Sequence, residues 1–309
     1  MVGAQAIAKI PRVGVLWHAG SAEEEGRYFT GLIEGLLDLG YTDGQNIILE
    51  HRFPNEKPDR FRKMAAELVA LNVDVLVGVG SQTAFYVKDA TETIPIVFIF
   101  VPDPVGAKFV ISLARPGGNA TGLTHFAADL IGKRLQFLKE TIPGLSQVAL
   151  LVNPDTQVAR LYSDVTDTVA TRLDLTNHTF SARSRDELEP AFDKIVKAGM
   201  QAVTINSEGL AYQQREFIAN LAIERRLPLS VWSRETLEAG ALMSYGADQV
   251  AMCRRAAVFV HKILRGAKPA DLPVEEPAKI EFLLNQKTAK ALGLIFPTTL
   301  LLAADEIIE

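Results

Sequence analysis

The strongest constraint in this chain is an alternation. Short, continuous runs of Val, Ile and Leu are separated by amphipathic stretches with helical spacing along nearly all of its 309 residues. A strand with no polar face must be covered on both sides, and a parallel sheet wrapped by crossover helices does this. Residues 12–17 (RVGVLW), 47–52, 73–79 and 96–101 read as strands, with helices over 23–39, 58–71 and 82–90 between them. In the second of these helices Phe61, Met64, Ala65, Leu68 and Val69 fall on one face.

After the turn-rich RPGG at 115–118 the pattern restarts with a helix over 130–141. Strands at 148–152, 176–180, 202–205, 229–232 and 241–244 follow, with helices at 158–173, 187–198 and 210–225 among them. The expected class is α/β, with two similar lobes built on parallel sheets. At roughly 150 residues per domain, the length fits two. A further helix over 250–265, a Pro-rich segment at 268–277 and the tail to 309 must return to the body. Such a return gives several crossovers, which act as a hinge.

Composition narrows the function. Hydrophobic residues at 48% and charged residues at 22% are those of a folded globular protein, not a disordered one. The net charge of −5 argues against a nucleic-acid or anionic-membrane partner, because both need a basic surface. The single Cys253 excludes an internal disulfide framework and any Cys-rich metal site, and reads as an inert buried thiol. No apolar run reaches the ~20 residues needed to span a bilayer. The start, MVGAQAIAK, lacks the basic and then apolar pattern of an intact secretory signal. It reads as a mature N-terminus, a start whose signal was omitted, or a cytoplasmic start.

In open parallel sheets, ligands bind beyond the carboxyl ends of the strands. Gly78–Val79–Gly80–Ser81–Gln82–Thr83 follows the third strand, with Ser81 as the expected N-cap and free backbone N–H groups suited to a carboxylate or phosphate. An ordinary capped turn explains the same residues. As a dinucleotide fingerprint the segment fails, because Thr83 occupies the third glycine position. Asp103 lies between two prolines after the fourth strand, aimed at an ammonium or hydroxyl, or simply forming a turn. Asn153, Asn206 with Ser207, and Ser233 occupy matching strand ends in the second half, where each also has a plain reading as a cap. Both tryptophans, Trp17 and Trp232, end strands, and His18, Phe100, Phe126 and Tyr245 sit at similar places. A rim with aromatic faces and few charges suits a small organic ligand, although Phe100 and Phe126 could equally fill core space under the loops.

Support for catalysis or a metal is thin. The closest histidines, His18 and His51, are too far apart in sequence for a helical metal pair. Neither a G-x-S-x-G elbow nor a G-x-x-x-x-G-K-[ST] loop is present.

The segments FTGLIEGLLDLGYTDGQNIILEHR (29–52), LVALNVDVLVGVGSQTA (68–84), TIPIVFIFVPDPVGAKFVISLARPGGNATGLT (93–124), LMSYGAD (242–248) and the tail from 262 to 309 carry a family resemblance. The chain resembles the substrate-binding proteins of bacterial ABC importers, in the branch associated with tryptophan- and tyrosine-type ligands, over essentially its whole length. The resemblance implies a type I periplasmic-binding-protein fold, two Rossmann-like lobes with parallel sheets joined by a three-crossover hinge, with residues 1–124 and 246–278 in one lobe and 125–245 and 279–309 in the other. It implies a non-enzymatic, monomeric receptor without cofactor or metal, periplasmic and possible to anchor by lipid, that captures a small carboxylate ligand and presents it to the transmembrane permease subunits. Ligand contacts are expected from Trp17, His18, Ser81, Gln82, Thr83, Phe100, Asp103, Asn153, Asn206, Ser207, Trp232 and Tyr245. Within that set, Ser81–Thr83 would hold the carboxylate and Asp103 an amine. Trp17, Trp232 and Tyr245 would pack on the ligand body. Ser81–Gln82 stands where the family often has Thr-Pro, and Trp17–His18–Ala19 where Gln- and Pro-containing loops are common. Both departures fall on ligand loops. A sensing domain of the same fold and a two-lobe enzyme are the competing functions.

Overall fold

The computed structural model describes residues 10–125 and 127–309, with the side chains of 127–129 outside the description. Phe126 and the N-terminal segment 1–9, both considered above, lie outside the described residues. The strands are β1 (Arg12–Leu16), β2 (Ile48–Arg52), β3 (Val75–Val79), β4 (Ile96–Val101), β5 (Ala120–Thr124) and β6 (Gln147–Val152). They continue with β7 (Thr176–Ser181), β8 (Ala202–Ile205), β9 (Leu229–Val231), β10 (Met243–Ala247), β11 (Ile280–Asn285) and β12 (Glu306–Ile308).

The chain forms two compact units. The first holds residues up to Ile99 with Pro104–Leu123 and Val250–Glu275, and the second holds Phe100–Asp103, Thr124–Gln249 and Glu276–Glu309. Residues 246–249 go with the second unit because β10 runs on through Gly246 and Ala247, which pair with Glu281 and Ile280 of β11.

The first unit carries a five-stranded sheet in the order β2-β1-β3-β4-β5. β1 lies parallel to β2 and β3, and β3 parallel to β4. Val13, Val15, Val75, Val77, Ile96 and Phe98 are fully buried, as strands covered on both faces require. Gly122 is needed for close approach: a Cβ there would fall 1.9 Å from the Phe98 carbonyl oxygen.

The second unit carries seven strands in the order β12-β11-β10-β9-β8-β6-β7. All neighbours are parallel except β10 and β11, which run antiparallel. Ala149, Leu150, Ala202, Val203 and Val231 fill its centre.

Three strands depart from the sequence reading: β5, β11 and β12 fall where no strand was expected. Two expected helices are broken. The first splits at Gly26, whose φ of 56° no helix accepts, into Ala22–Glu25 and Arg27–Asp38. The stretch 210–225 splits at Gln214 into Gly209–Gln213 and Arg215–Glu224. There the Glu208 carboxylate accepts the Leu210 and Ala211 N–H groups, while Arg215 donates to the Tyr212 carbonyl, so the short turn is closed at both ends.

Candidate functional site

Each sheet has a topological switch point, where neighbouring strands send their following connections in opposite directions. In the first unit it lies between β1 and β3, and in the second between β6 and β8.

At the first switch point, Trp17 is fully buried. Its indole N–H donates to His51 Nδ1 at 3.0 Å, and its ring lies parallel to Phe53 at 6.2 Å and tilted on Phe29 at 5.2 Å. This indole is committed to aromatic neighbours of its own unit. His18 is buried between two carboxylates, Glu25 on Nε2 at 3.2 Å and Glu56 on Nδ1 at 3.1 Å. Gly80, not Ser81, is the N-cap of the helix Ser81–Ala90. Its φ of 102° suits glycine, and Ser81 becomes the first helical residue. Gln82 is half-buried, and Thr83 is buried with its hydroxyl donating to the Gly80 carbonyl at 2.7 Å.

The second switch point builds a recess. Its lining includes His125, Arg134, Tyr162, Ser207, Trp232 and Gly246, with room for about one water-sized group, near 10 Å³. Gly246 is required by the main chain, since a Cβ would meet the Trp232 carbonyl oxygen at 1.9 Å. Asn206, at the end of β8, is buried and accepts from the Arg134 guanidinium at 2.5 Å. Three of the sequence-predicted residues are thereby brought to one small pocket, Ser207 and Trp232 in its lining and Asn206 through Arg134.

The other predicted residues of this unit lie outside the recess lining. Phe100 is buried at φ 68°, an unusual conformation for a bulky side chain. Asp103 is exposed. Asn153 forms a local turn, accepting from the Asp155 N–H at 3.1 Å. Tyr245 packs edge-on against Phe137 at 5.4 Å.

Arg134, His125 and Tyr162 were missed. Arg134 lies on the helix Ala127–Thr141 in line with Leu130 and Leu138, four residues to either side, and all three are buried. A cation on an apolar stripe is the signal that could have found it. Arg134 is only 3% exposed, and its Nε has no hydrogen-bond partner. Among the described residues no carboxylate forms an ion pair with it. The nearby acid, Glu208, is engaged in capping the turn that follows it.

Burial draws the Arg134 pKa down to about 10, which leaves it charged at neutral pH. Burial first, and then the Arg134 charge, pull His125 down to about 4, so this imidazole is neutral. Burial raises Tyr162, so its hydroxyl keeps its proton and can pair with His125 Nε2 at 3.3 Å. The recess therefore presents a positive charge with no ion-pair partner among the described residues. It also holds buried polar atoms with no hydrogen-bond partner at Arg134 Nε, Asn206 Nδ2 and His125 Nδ1. An unpaired buried cation is costly, and a planar monoanion such as a carboxylate matches a guanidinium edge. Among the described residues, no group of His, Cys, Asp and Glu could hold a metal ion.

Two α/β units with parallel sheets, each with its loops at the strand ends, define a fold of the type I periplasmic-binding-protein class. A family model described as ABC transporter substrate binding protein matches residues 21–308, and the chain belongs to this family. A tyrosine-binding protein from Clostridioides difficile is 24% identical over 264 residues, covering 85% of this chain and 76% of that protein. A conserved domain protein from Vibrio cholerae superposes with a TM-score of 0.90 at 26% identity, covering 97% of this chain and 100% of that one. The ABC domain from Streptococcus pneumonia in complex with L-Trp gives 0.89 at 23% identity, with 96% and 99% covered. Proteins of this family bind solutes outside the cytoplasmic membrane and work with a permease. No described helix is long and apolar enough to cross a membrane.

Proposed function

We propose that this protein captures an amino-acid-like or aromatic carboxylate and hands it to its permease as a monomer, with no bond made or broken. The observation that carries this reading is the buried, uncompensated Arg134 guanidinium in the second unit's recess. The ligand carboxylate sits there, taking Arg134 Nε–H and Asn206 Nδ2–H, and the Trp232 indole flanks an aromatic body. This moves the carboxylate from Ser81–Thr83, where the Thr83 hydroxyl is buried and already spent on Gly80. Asp103, exposed, takes the amine of a ligand that has one. The recess admits only a small group, so the body of the ligand stays outside it. The tyrosine-binding relative and the L-Trp complex support an aromatic amino acid as the solute. Binding acts by population shift, favouring the state that makes the ligand contacts.

Calorimetry with L-tyrosine and L-tryptophan, each beside its carboxamide, tests this. The acids are expected to bind and the amides to lose most of their affinity. Arg134→Met should weaken acid binding about 10- to 100-fold, the value of a charge-assisted hydrogen bond or two. Equal binding of acid and amide, or full affinity in Arg134→Met, would refute the assignment.

A further inference from the structure

We propose that His18, Glu25 and Glu56 form a buried site for one shared proton, and that loss of this proton releases the loop 53–57 of the first unit. The inference stands apart from the ligand assignment, since every residue in it belongs to the first unit.

The argument begins with the imidazole. Both ring nitrogens of His18 face carboxylate oxygens, Nε2 toward Glu25 Oε2 at 3.2 Å and Nδ1 toward Glu56 Oε1 at 3.1 Å. A neutral imidazole offers one N–H and one lone pair. With both carboxylates ionised, one of them would meet a lone pair at contact distance. One more proton, carried by Glu56, makes both contacts attractive and brings the cluster's charge from −2 to −1. The side chains of His18 and Glu56 are each 7% exposed and that of Glu25 fully buried, so water does little to soften the loss.

The two carboxylates are not equivalent. Glu25 Oε1 accepts the His18 and Ala19 N–H groups at 2.8 and 2.7 Å, which fixes it. Glu56 has no hydrogen bond at either oxygen, and its tie to the cluster is the His18 contact. It also sits on strained chain, with Asn55 at φ 58° and Glu56 at φ 53°. Two backbone bonds hold that chain in place, Asn55 N–H to the Ala19 carbonyl and Glu56 N–H to the His18 carbonyl, each 3.0 Å. Glu56 is therefore the member that leaves. Burial pushes its carboxyl up to about 8, which places the release above neutral pH.

Other charged groups around the cluster have their own contacts. Glu24 accepts from the Gly20 N–H, Arg60 donates to the Phe53 carbonyl, and His51 holds the Trp17 indole. Lys57 and Asp59 are exposed. The His18 ring also borders the turn before helix Ser81–Ala90, lying 3.7 Å from where a Gly80 Cβ would be. Release of the loop would thus loosen the strand-end rim of this unit.

Phe53 stacks on Trp17, so the loop carries an optical reporter. In a Trp232→Phe background, Trp17 emission followed from about pH 6 to about pH 10 is expected to show a one-proton transition. Hydrogen exchange of the 53–57 peptide should quicken over the same range. Glu56→Gln, whose carboxamide can donate to Nδ1 without titrating, should remove the transition in both readouts. A wild-type protein with no transition, or one that persists in Glu56→Gln, would overturn the proposal. If Glu56→Gln does not fold, carbon-13 NMR of the wild-type Glu side-chain carboxyls decides, and a Glu56 signal that is fully ionised at pH 7 would also overturn it.

Discussion

The two switch points solve the same problem in opposite ways. In the first unit, the carboxyl groups buried at the strand ends are partnered within the chain, Glu25 and Glu56 both by His18. In the second, Arg134 is buried and, among the described residues, donates to the neutral Asn206. A buried group partnered from within can hold a loop, whereas on the reading proposed above an unpaired one holds a place for a ligand. The same topology therefore carries a partnered cluster in one unit and an unpaired guanidinium edge in the other.

The largest effect that should sharpen this contrast is expected from His18→Ala. Removing the imidazole that both buried carboxyl groups contact should cost about 4 kcal/mol at neutral pH, read by denaturant unfolding. The loss should shrink in acid, as Glu25 protonates. A cost near zero would show that the first cluster is not partnered as described. Gly246→Ala should cost about 3 kcal/mol, because the added methyl collides with main chain instead of a movable side chain. It should disturb Trp232 emission more than Trp17 emission.

Opposite pH responses should separate the units next. Glu56 has its carboxyl raised from 4.5 to about 8, so the folded state holds the proton more tightly than the unfolded one. Its contribution is complete below about pH 4.5 and is lost as pH rises through about 8, by roughly 2 kcal/mol once relaxation is allowed for. His125 is lowered from 6.5 to about 4, so its contribution is complete above about 6.5 and is lost as pH falls through about 4. Trp17 should report the alkaline change and Trp232 the acidic one. Common pH midpoints for both would break the comparison. The smallest stability effect belongs to Arg134→Met without ligand, where loss of an unpaired buried charge should leave the melting temperature unchanged or raised.

Much of the fold was legible because buried parallel strands advertise themselves as continuous apolar runs, as in β3 (VLVGV) and β4 (IVFIFV). The strands that were missed lack this mark. β5 (ATGLT) is buried although it ends the sheet and carries one large apolar residue, Leu123, and β12 (EII) is three residues long. Asn206, Ser207 and Trp232, which the proposed site uses, were legible as strand-end residues, where ligands bind in this topology. Arg134 could not be found by that rule, since it comes from mid-helix. An Arg in a helix usually points to water, and only its alignment with Leu130 and Leu138 betrays burial. Trp17 was legible as a strand-end aromatic, but its commitment to His51 and Phe53 depends on β2 and the chain after it, far off in sequence.

The interleaving of the chain has a consequence for synthesis. The first unit needs Val250–Glu275 and the second needs Glu276–Glu309, which supply β11 and β12. On the ribosome, neither unit has all its parts until the segments after residue 249 begin to emerge. Until then β10 has an open edge where β11 will lie, a surface that invites pairing with other nascent chains. Late completion of this kind couples the folding of both units to one stretch of chain, residues 250–309.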